Sequence, residues 1–286
     1  MTRPARPPVV RTRQELRDQI HKVRQTGQSI GLVPTMGALH RGHMSLVEAS
    51  RNRCDVTVAT IFVNPTQFAP HEDFEKYPRT LEADLSLLAD AGVDLVFAPA
   101  TGEMYRPEHE TTVDVGAIAR RLEGEFRPHH FEGVATVVLK LLCVATPDVG
   151  FFGQKDYQQS LVIRRLVEDL DVPVEIEVCP TVRDPDGLAL SSRNAYLSLA
   201  ERQRALAIPR SLEAAAELIR RGTRDAKAIE GGMHATLQDA GVVEIDYARV
   251  VDPETLLPVE LVDGRALLVI AAHVGATRLI DNALLG

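Results

Sequence analysis

Val33-Pro34-Thr35-Met36-Gly37-Ala38-Leu39-His40-Arg41-Gly42-His43 places an apolar strand, a glycine turn and two histidines at a helix start in one short stretch. Residues 30–33 are an apolar run ended by Pro34, and Met44, Val47 and Ala49 open an amphipathic pattern. The loop between them therefore lies at the carboxyl end of a strand. In open α/β sheets, ligands bind at that edge. His40 and His43 are three apart and project from one side of the first helical turn, where unpaired backbone N–H groups also point outward. Gly37 and Gly42 let an oxyanion approach the backbone, and the helix dipole adds partial positive charge. Two imidazoles there can donate to an α-phosphate that gains charge during a displacement. The same histidines could instead cap the helix or lie on the surface. A metal pair is disfavoured, because no Cys or further His stands at ligand spacing nearby.

Outward from this stretch, strands and helices alternate: helix 13–25, strand 30–33, a helix from about 42, strand 55–63, helix 80–91 and strand 94–97. The rhythm continues with helix 134–145, strand 149–152, helix 157–169 and strand 174–178. The β-branched Val56, Thr57, Val58, Thr60 and Ile61 favour a strand buried on both faces, so an α/β fold with a parallel sheet is expected. From Arg183 the texture changes. Asp184-Pro185-Asp186-Gly187 is a turn cluster, followed by a long helix at 199–221, another at 226–240, and strand-like 243–251 and 266–271. That pattern reads as a small α+β unit with antiparallel strands.

With 286 residues, 45% hydrophobic and 25% charged, the chain can bury a sizeable core in two domains. A net charge of -8 argues against nucleic acid as partner, so an anionic substrate must be met by local positive groups. Cys54, Cys143 and Cys179 are too scattered for a disulfide framework or a metal cluster, which suits a reducing cytoplasm. Arg3, Arg6, Arg11 and Arg13 stand among prolines without an apolar core, so residues 1–13 read as a mobile tail and not as a secretory signal. The most apolar stretch, 134–145, is interrupted by Lys140 and too short to span a bilayer, so no membrane is expected as partner.

Three further segments carry chemistry. Asn64-Pro65-Thr66-Gln67-Phe68 follows strand 55–63, and its amides suit a hydroxyl or a carboxylate, although Asn64 would serve a turn equally well. Gly153-Gln154-Lys155-Asp156-Tyr157-Gln158-Gln159 follows strand 149–152. There Lys155 could neutralise phosphate, Asp156 could orient a ribose or cap the helix, and Gln159 would face the same way as Lys155. Leu190-Ser191-Ser192-Arg193-Asn194 offers two hydroxyls and a guanidinium that could close over a triphosphate, or a polar connector with capping serines. Arg127-Pro128-His129-His130-Phe131 is ambiguous by itself. No G-x-x-x-x-G-K-[ST], G-x-G-x-x-G or G-x-S-x-G motif is present, which removes support for P-loop kinases, Rossmann dehydrogenases and α/β-hydrolases.

These motifs, with Phe62-Val63, Tyr77-Pro78-Arg79-Thr80, Asp186-Gly187-Leu188-Ala189 and Thr277-Arg278-Leu279-Ile280-Asp281-Asn282, run in order along nearly the whole chain. In them the chain resembles the pantothenate synthetase family, the pantoate:β-alanine ligases, of the nucleotidylyltransferase superfamily related to class I aminoacyl-tRNA synthetases. The resemblance implies a Rossmann-like doubly wound parallel sheet with a smaller C-terminal α+β domain. Residues 1–181 would be the catalytic domain that binds ATP and pantoate, and 182–286 the α+β lid. It also implies ATP-dependent condensation of (R)-pantoate with β-alanine to pantothenate, AMP and pyrophosphate through pantoyl adenylate.

By the same resemblance, Met36, Gly37, Ala38, Leu39, His40, Arg41, Gly42 and His43 would cradle ATP, with His43 the proton donor and His40 beside it on the phosphates. Gly153, Gln154, Lys155, Asp156, Val182, Leu190, Ser191, Ser192 and Arg193 would also bind ATP. Lys155, Ser191, Ser192 and Arg193 would join the histidines in catalysis. Gln67 and Gln159 would hold pantoate, and Gln67 would also stand near β-alanine. Mg²⁺ would bridge phosphate oxygens, and the protein would be a cytoplasmic homodimer. Thr66 stands where many members carry Met, and Gln154 where many carry Glu. Ala83 beside Asp84 stands where some carry an acidic pair, which weakens any assignment of a protein Mg²⁺ ligand, so Asp84 is a candidate only and no metal ligand is assigned. Two other readings share these motifs: an H-x-G-H nucleotidylyltransferase with a different acceptor, and a nucleotide-binding module without turnover.

Overall fold

The computed structural model describes residues 6–70 and 72–286, which form two compact units. The first is built on six parallel strands: β1 (Val9–Val10), β2 (Ile30–Thr35), β3 (Val56–Ile61), β4 (Leu95–Phe97), β5 (Val149–Gly153) and β6 (Glu175–Cys179). Their spatial order is β1-β4-β3-β2-β5-β6. From β2 the chain winds outward through β3 and β4, then returns to lay β5 and β6 on the other side. The sheet is therefore doubly wound and Rossmann-like, with its switch point between β2 and β5, the position outside whose carboxyl ends open α/β sheets bind ligands.

The strand period of two explains the layering. Ile30, Leu32, Val56, Val58, Leu95, Phe97 and Phe152 share a core with α1 (Arg13–Gln25) and the apolar residues of a sixteen-residue helix, His130–Ala145. The alternate residues Val33, Ala59, Val96, Val149 and Phe151 share another core with α2 (Arg41–Arg53) and α3 (Leu81–Asp90). Each face of the sheet is thus covered by helices, which is why the strands read as continuous apolar runs. The short α4 (Thr101–Met104) and α5 (Glu123–Phe126) precede α6, the helix His130–Ala145, and α7 (Tyr157–Asp169) follows β5.

Two sequence expectations are corrected here. Pro34 does not end its strand, because β2 continues to Thr35 with Pro34 opposite Thr60. Thr35 turns its carbonyl to the Phe62 N–H at 3.0 Å, so the Pro34 nitrogen faces the β5 side, where pairing has already stopped at Leu32. Its missing N–H costs no ladder bond. Residues 1–13 are not simply a tail: Val9 and Val10 pair with Val96 and Phe97, and Arg6 bonds Glu82 at 2.5 Å. Arg3 lies outside the described residues.

The second unit comprises Thr181–Gly286 with two short segments, Arg121–Phe126 and Lys155–Gln158. Helices α8 (Leu199–Ala205), α9 (Ala207–Arg220) and α10 (Ala226–Asp239) precede an antiparallel sheet of β7 (Glu244–Val251), β8 (Ala266–Val274) and β9 (Thr277–Leu285). The single helix expected over 199–221 is broken at Leu206. Pro209 has no N–H for the carbonyl of Ala205, so the first helix cannot run into the second. β9 was not foreseen as a strand, because Arg278, Asp281 and Asn282 interrupt its apolar alternation. Ile208, Leu212, Ile229, Met233, Leu268 and Ile270 belong to this unit's own core. No described helix is long and apolar enough to cross a membrane.

Candidate active site

At the end of β2 the backbone turns through two left-handed residues, Gly37 at φ 83° and Ala38 at φ 50°. A Cβ on Gly37 would come within 3.0 Å of Asp84 Oδ2 and 3.2 Å of Ile61 Cγ2, so the turn needs glycine for shape as well as for conformation. The turn delivers the N–H groups of Ala38 and Leu39 to the Asp84 carboxylate at 3.1 and 2.8 Å, and Thr80 Oγ1 adds a bond of 3.2 Å. Asp84 is 1% exposed. It is the internal buttress of this loop, a role the sequence did not reveal. A cavity of about 250 Å³ opens beside it, lined in part by Met36, Gly37, Phe62, Arg79 and Asp84.

His40 is the N-cap of α2. Its Nδ1 accepts the Gly42 N–H at 3.2 Å, while His43 Nδ1 accepts the His40 N–H at 3.3 Å. Both Nδ1 atoms are therefore acceptors, and each neutral ring carries its proton on Nε2, the nitrogen suited to donate to an oxyanion. The ring centroids lie 4.1 Å apart at 38°. Capping therefore occupies only the Nδ1 edges of the two rings. One expectation changes: the amides of Gly37, Ala38, Leu39, His40 and Gly42 all have acceptors within the protein. A ligand at this loop would meet the helix dipole rather than open amides at these five positions.

At the end of β3, Asn64 does not serve a self-bonded turn. It is 1% exposed, and its Nδ2 donates to Gly133 O and to Gln67 Oε1, both at 3.1 Å. A carbonyl can only accept, so the Nδ2 edge must face Gly133. The Oδ1 edge then meets Tyr105 OH at 2.8 Å and Thr66 Oγ1 at 3.0 Å. This fixes Gln67 as well: its Oε1 is taken, and its Nε2 donors are the part it can offer a carboxylate or hydroxyl. Gly133 permits the arrangement, because a Cβ there would lie 2.4 Å from Thr66 O and 2.8 Å from Gln67 N. Behind Gln67, His130 Nδ1 donates to its carbonyl at 2.8 Å, and Arg127 forms a two-pronged pair with Glu72 at 2.7 Å while contacting the same carbonyl at 3.3 Å. Burial opposes the Glu72 charge, but the Arg127 guanidinium outweighs it and holds the carboxyl below its ordinary value. Arg127 and His130 thus support Gln67, whereas His129 is exposed beside Glu132.

Because β2 lies between β3 and β5, the loops bearing His40 and His43, Gln67, and Gly153 to Gln154 leave neighbouring strands at one sheet edge. No described atom lies within 4 Å of a Cβ built on Gly153. Gln159, partly exposed, is in the first turn of α7.

Within the second unit, Lys155 Nζ lies 3.6 Å from Asp156 Oδ1. Val182 and Leu190 are neighbours in a small hairpin, with the Leu190 N–H on Val182 O at 3.0 Å and a tight turn where Gly187 has φ 93°. Arg202 bonds both Asp184 and Asp186 at 2.8 Å, and these bonds hold its guanidinium firmly protonated. Ser191 caps the 3-10 helix Ser192–Tyr196 by accepting the Arg193 N–H at 3.3 Å, which leaves its hydroxyl proton available to donate. Asn194 Nδ2 bonds Ala189 O at 3.0 Å.

Comparison with known proteins accords with this architecture. The model of the pantoate-beta-alanine ligase family matches residues 8–284. Pantothenate synthetase of Acidobacterium capsulatum is 54% identical over 91% of this chain and 87% of its own length. That of Moorella thermoacetica is 52% identical over 94% and 95%. The crystal structure of pantothenate synthetase from Thermus thermophilus superposes with a TM-score of 0.92, at 45% identity over 96% of this chain and 98% of that one. The Francisella tularensis ligase, complexed with beta-gamma ATP and beta-alanine, gives 0.79 at 35% identity over 97% of each chain. The doubly wound sheet and the family match together establish that this chain belongs to the pantoate–β-alanine ligase family.

Proposed function

We infer that this chain condenses (R)-pantoate with β-alanine in an ATP-dependent ligation that releases AMP and pyrophosphate. The observation that carries the chemistry is the His40–His43 cap, in which both Nδ1 atoms accept backbone N–H groups, so that each neutral ring carries its proton on Nε2. In the first step a pantoate carboxylate oxygen attacks the α-phosphorus of ATP, the bond to pyrophosphate breaks, and pantoyl adenylate forms. His40 and His43 stabilise charge on the phosphate, and His43 donates the proton that accompanies departure. In the second step the β-alanine amine attacks the adenylate carbonyl carbon, AMP leaves and the amine loses a proton.

Gln67, with its Nε2 fixed as donor, and Gln159 hold pantoate, and Gln67 also lies near β-alanine. Met36 to His43, Gly153 to Asp156, Val182 and Leu190 to Arg193 bind ATP, with Lys155, Ser191, Ser192 and Arg193 on its phosphates. The domain that spans 1–181 carries ATP and pantoate, and 182–286 acts as a lid. Among the described residues no group of three or more His, Cys, Asp or Glu could hold a metal, and Asp84 is engaged by two amides. That donor set suits Mg²⁺ carried by the triphosphate, where it would offset phosphate charge. A homodimer in the cytoplasm completes the proposal, supported by the family resemblance.

The deciding experiment is AMP formation by purified protein with ATP and Mg²⁺, with both acceptors present and each omitted in turn. AMP that requires both confirms the ligation. Pyrophosphate release with another carboxylate, and none with pantoate, would overturn the substrate and point to a related nucleotidylyltransferase. ATP binding without turnover would mark a binding module.

A further inference from the structure

Thr277-Arg278-Leu279-Ile280-Asp281-Asn282 forms the first part of β9, yet none of its residues has a part in the chemistry above. Two of its side chains bond segments that carry proposed ATP ligands, and a third, Arg278, reaches one of them through Glu123. Asn282 Nδ2 donates to the Lys155 carbonyl at 2.9 Å. Arg278, on the same strand face, bonds both Glu123 oxygens at 2.8 and 2.6 Å and Asp246 at 2.6 Å. The Glu123 N–H in turn bonds Gln158 Oε1 at 3.1 Å, and Gln158 Nε2 returns to Arg121 O at 2.7 Å. The segment Lys155–Gln158 is therefore held at its first residue by Asn282 and at its last through Glu123 and Arg278. On the opposite strand face Asp281 forms a two-pronged pair with Arg183 at 2.6 and 3.0 Å, and Arg183 bonds Gly187 O at 3.2 Å. This fixes the hairpin that leads into Ser191.

Packing alone does not call for this arrangement. Glu123 and Asp281 are buried charges, and an apolar pair of similar volume stabilises a fold as well or better. What ionic and amide contacts add is a unique register for the segments they hold. Tyr247 OH also donates to Glu123 at 2.7 Å, so the carboxylate is met from two sides.

We propose that β9 is the positioning strand of the phosphate-binding residues, with Asn282 acting through Lys155 and Asp281 through Arg183. The proposal rests on the reading that Lys155 meets the ATP phosphates. Three variants test it: Lys155→Ala, Asn282→Ala and the double variant. Each is assayed for pantoate-dependent pyrophosphate release across ATP concentrations, for β-alanine-dependent AMP release from supplied pantoyl adenylate, and for Tm.

Asn282→Ala should raise the KM for ATP at least about tenfold in the first half-reaction and leave the second within about twofold, because no triphosphate takes part there. The double variant should be no slower than Lys155→Ala alone, since a residue that acts through Lys155 has nothing left to position. Additive losses, or equal loss in both half-reactions, would overturn the positioning role and leave the phosphate role of Lys155 standing. Lys155→Ala at the wild-type rate would overturn the phosphate reading and this proposal with it. If Asn282→Ala does not fold, Asn282→Leu, close in volume and without the donor, enters the same cycle with the same two outcomes.

Discussion

Asp84 Oδ1 accepts the backbone N–H of Leu39 at 2.8 Å, so a carboxylate from the first turn of α3 holds the loop that ends in His40. Its other oxygen takes the N–H of Ala38. The turn that leads into the pair of histidines is thus tied to a buried side chain.

Asp84→Asn replaces one acceptor oxygen by an NH₂, which leaves one buried amide facing a donor. We expect a loss of about 1–3 kcal/mol in stability and at least a tenfold drop in pyrophosphate release, measured by urea midpoint and by coupled assay. A variant with wild-type stability but an altered Mg²⁺ requirement would show instead that Asp84 serves the metal.

His43→Ala removes both the cap acceptor and the Nε2 donor. The cap is worth about 1 kcal/mol, whereas the donor to developing phosphate charge is worth at least about a hundredfold in rate. Single-turnover adenylate formation should thus fall about a hundredfold or more with the fold intact; a rate within a few-fold of wild type would remove His43 from the chemistry. Lys155→Ala should show the same pattern of lost rate and retained fold.

Gly133→Ala places a methyl 2.4 Å from Thr66 O, a backbone atom that cannot step aside alone. The loop bearing Gln67 must shift, at about 1–3 kcal/mol of stability for the overpacking. The KM for pantoate should rise several-fold with the KM for ATP little changed. Equal changes in both would mean the displacement is not confined to the Gln67 loop.

Glu72 is held below its ordinary value of 4.5, burial notwithstanding, by Arg127. A carboxyl with a depressed folded pKa contributes stability that is present above the unfolded value and is lost as pH falls through the folded one. The stability gap between wild type and Glu72→Gln should be widest above about pH 5 and close at lower pH. Urea midpoints that run parallel through the acid range would refute the pairing.

Cys143 is exposed, whereas Cys54 and Cys179 are buried, and burial together with Glu177 pushes the Cys179 thiol up to about 11. Iodoacetamide near pH 8 should label Cys143 first. Mass spectrometry should find one modification on the native chain and three after denaturation; early labelling of Cys179 would mean that β6 opens readily.

Local sequence determined much of this protein. The β-branched run 56–61, the glycine turn after 30–33 and the helix starts at 13, 42 and 157 each lie within a window where backbone preference and apolar period decide the outcome. Order of elements and the parallel sheet follow from them. The break at Leu206 was missed, because the apolar period runs through it, although Pro209 cannot serve the carbonyl four residues earlier. Two histidines three apart at a helix start could be seen, but their tautomers could not, because those depend on which backbone N–H reaches each Nδ1.

Tertiary structure alone decided the rest. Leu39 meets Asp84 across 45 residues, and Lys155 meets Asn282 across 127. Neither pair shows a pattern in sequence, because sheet order and burial bring them together. Burial is also what gives these contacts weight: a carboxylate or amide removed from water must find partners, and the partners that satisfy it fix the loops that carry the candidate site.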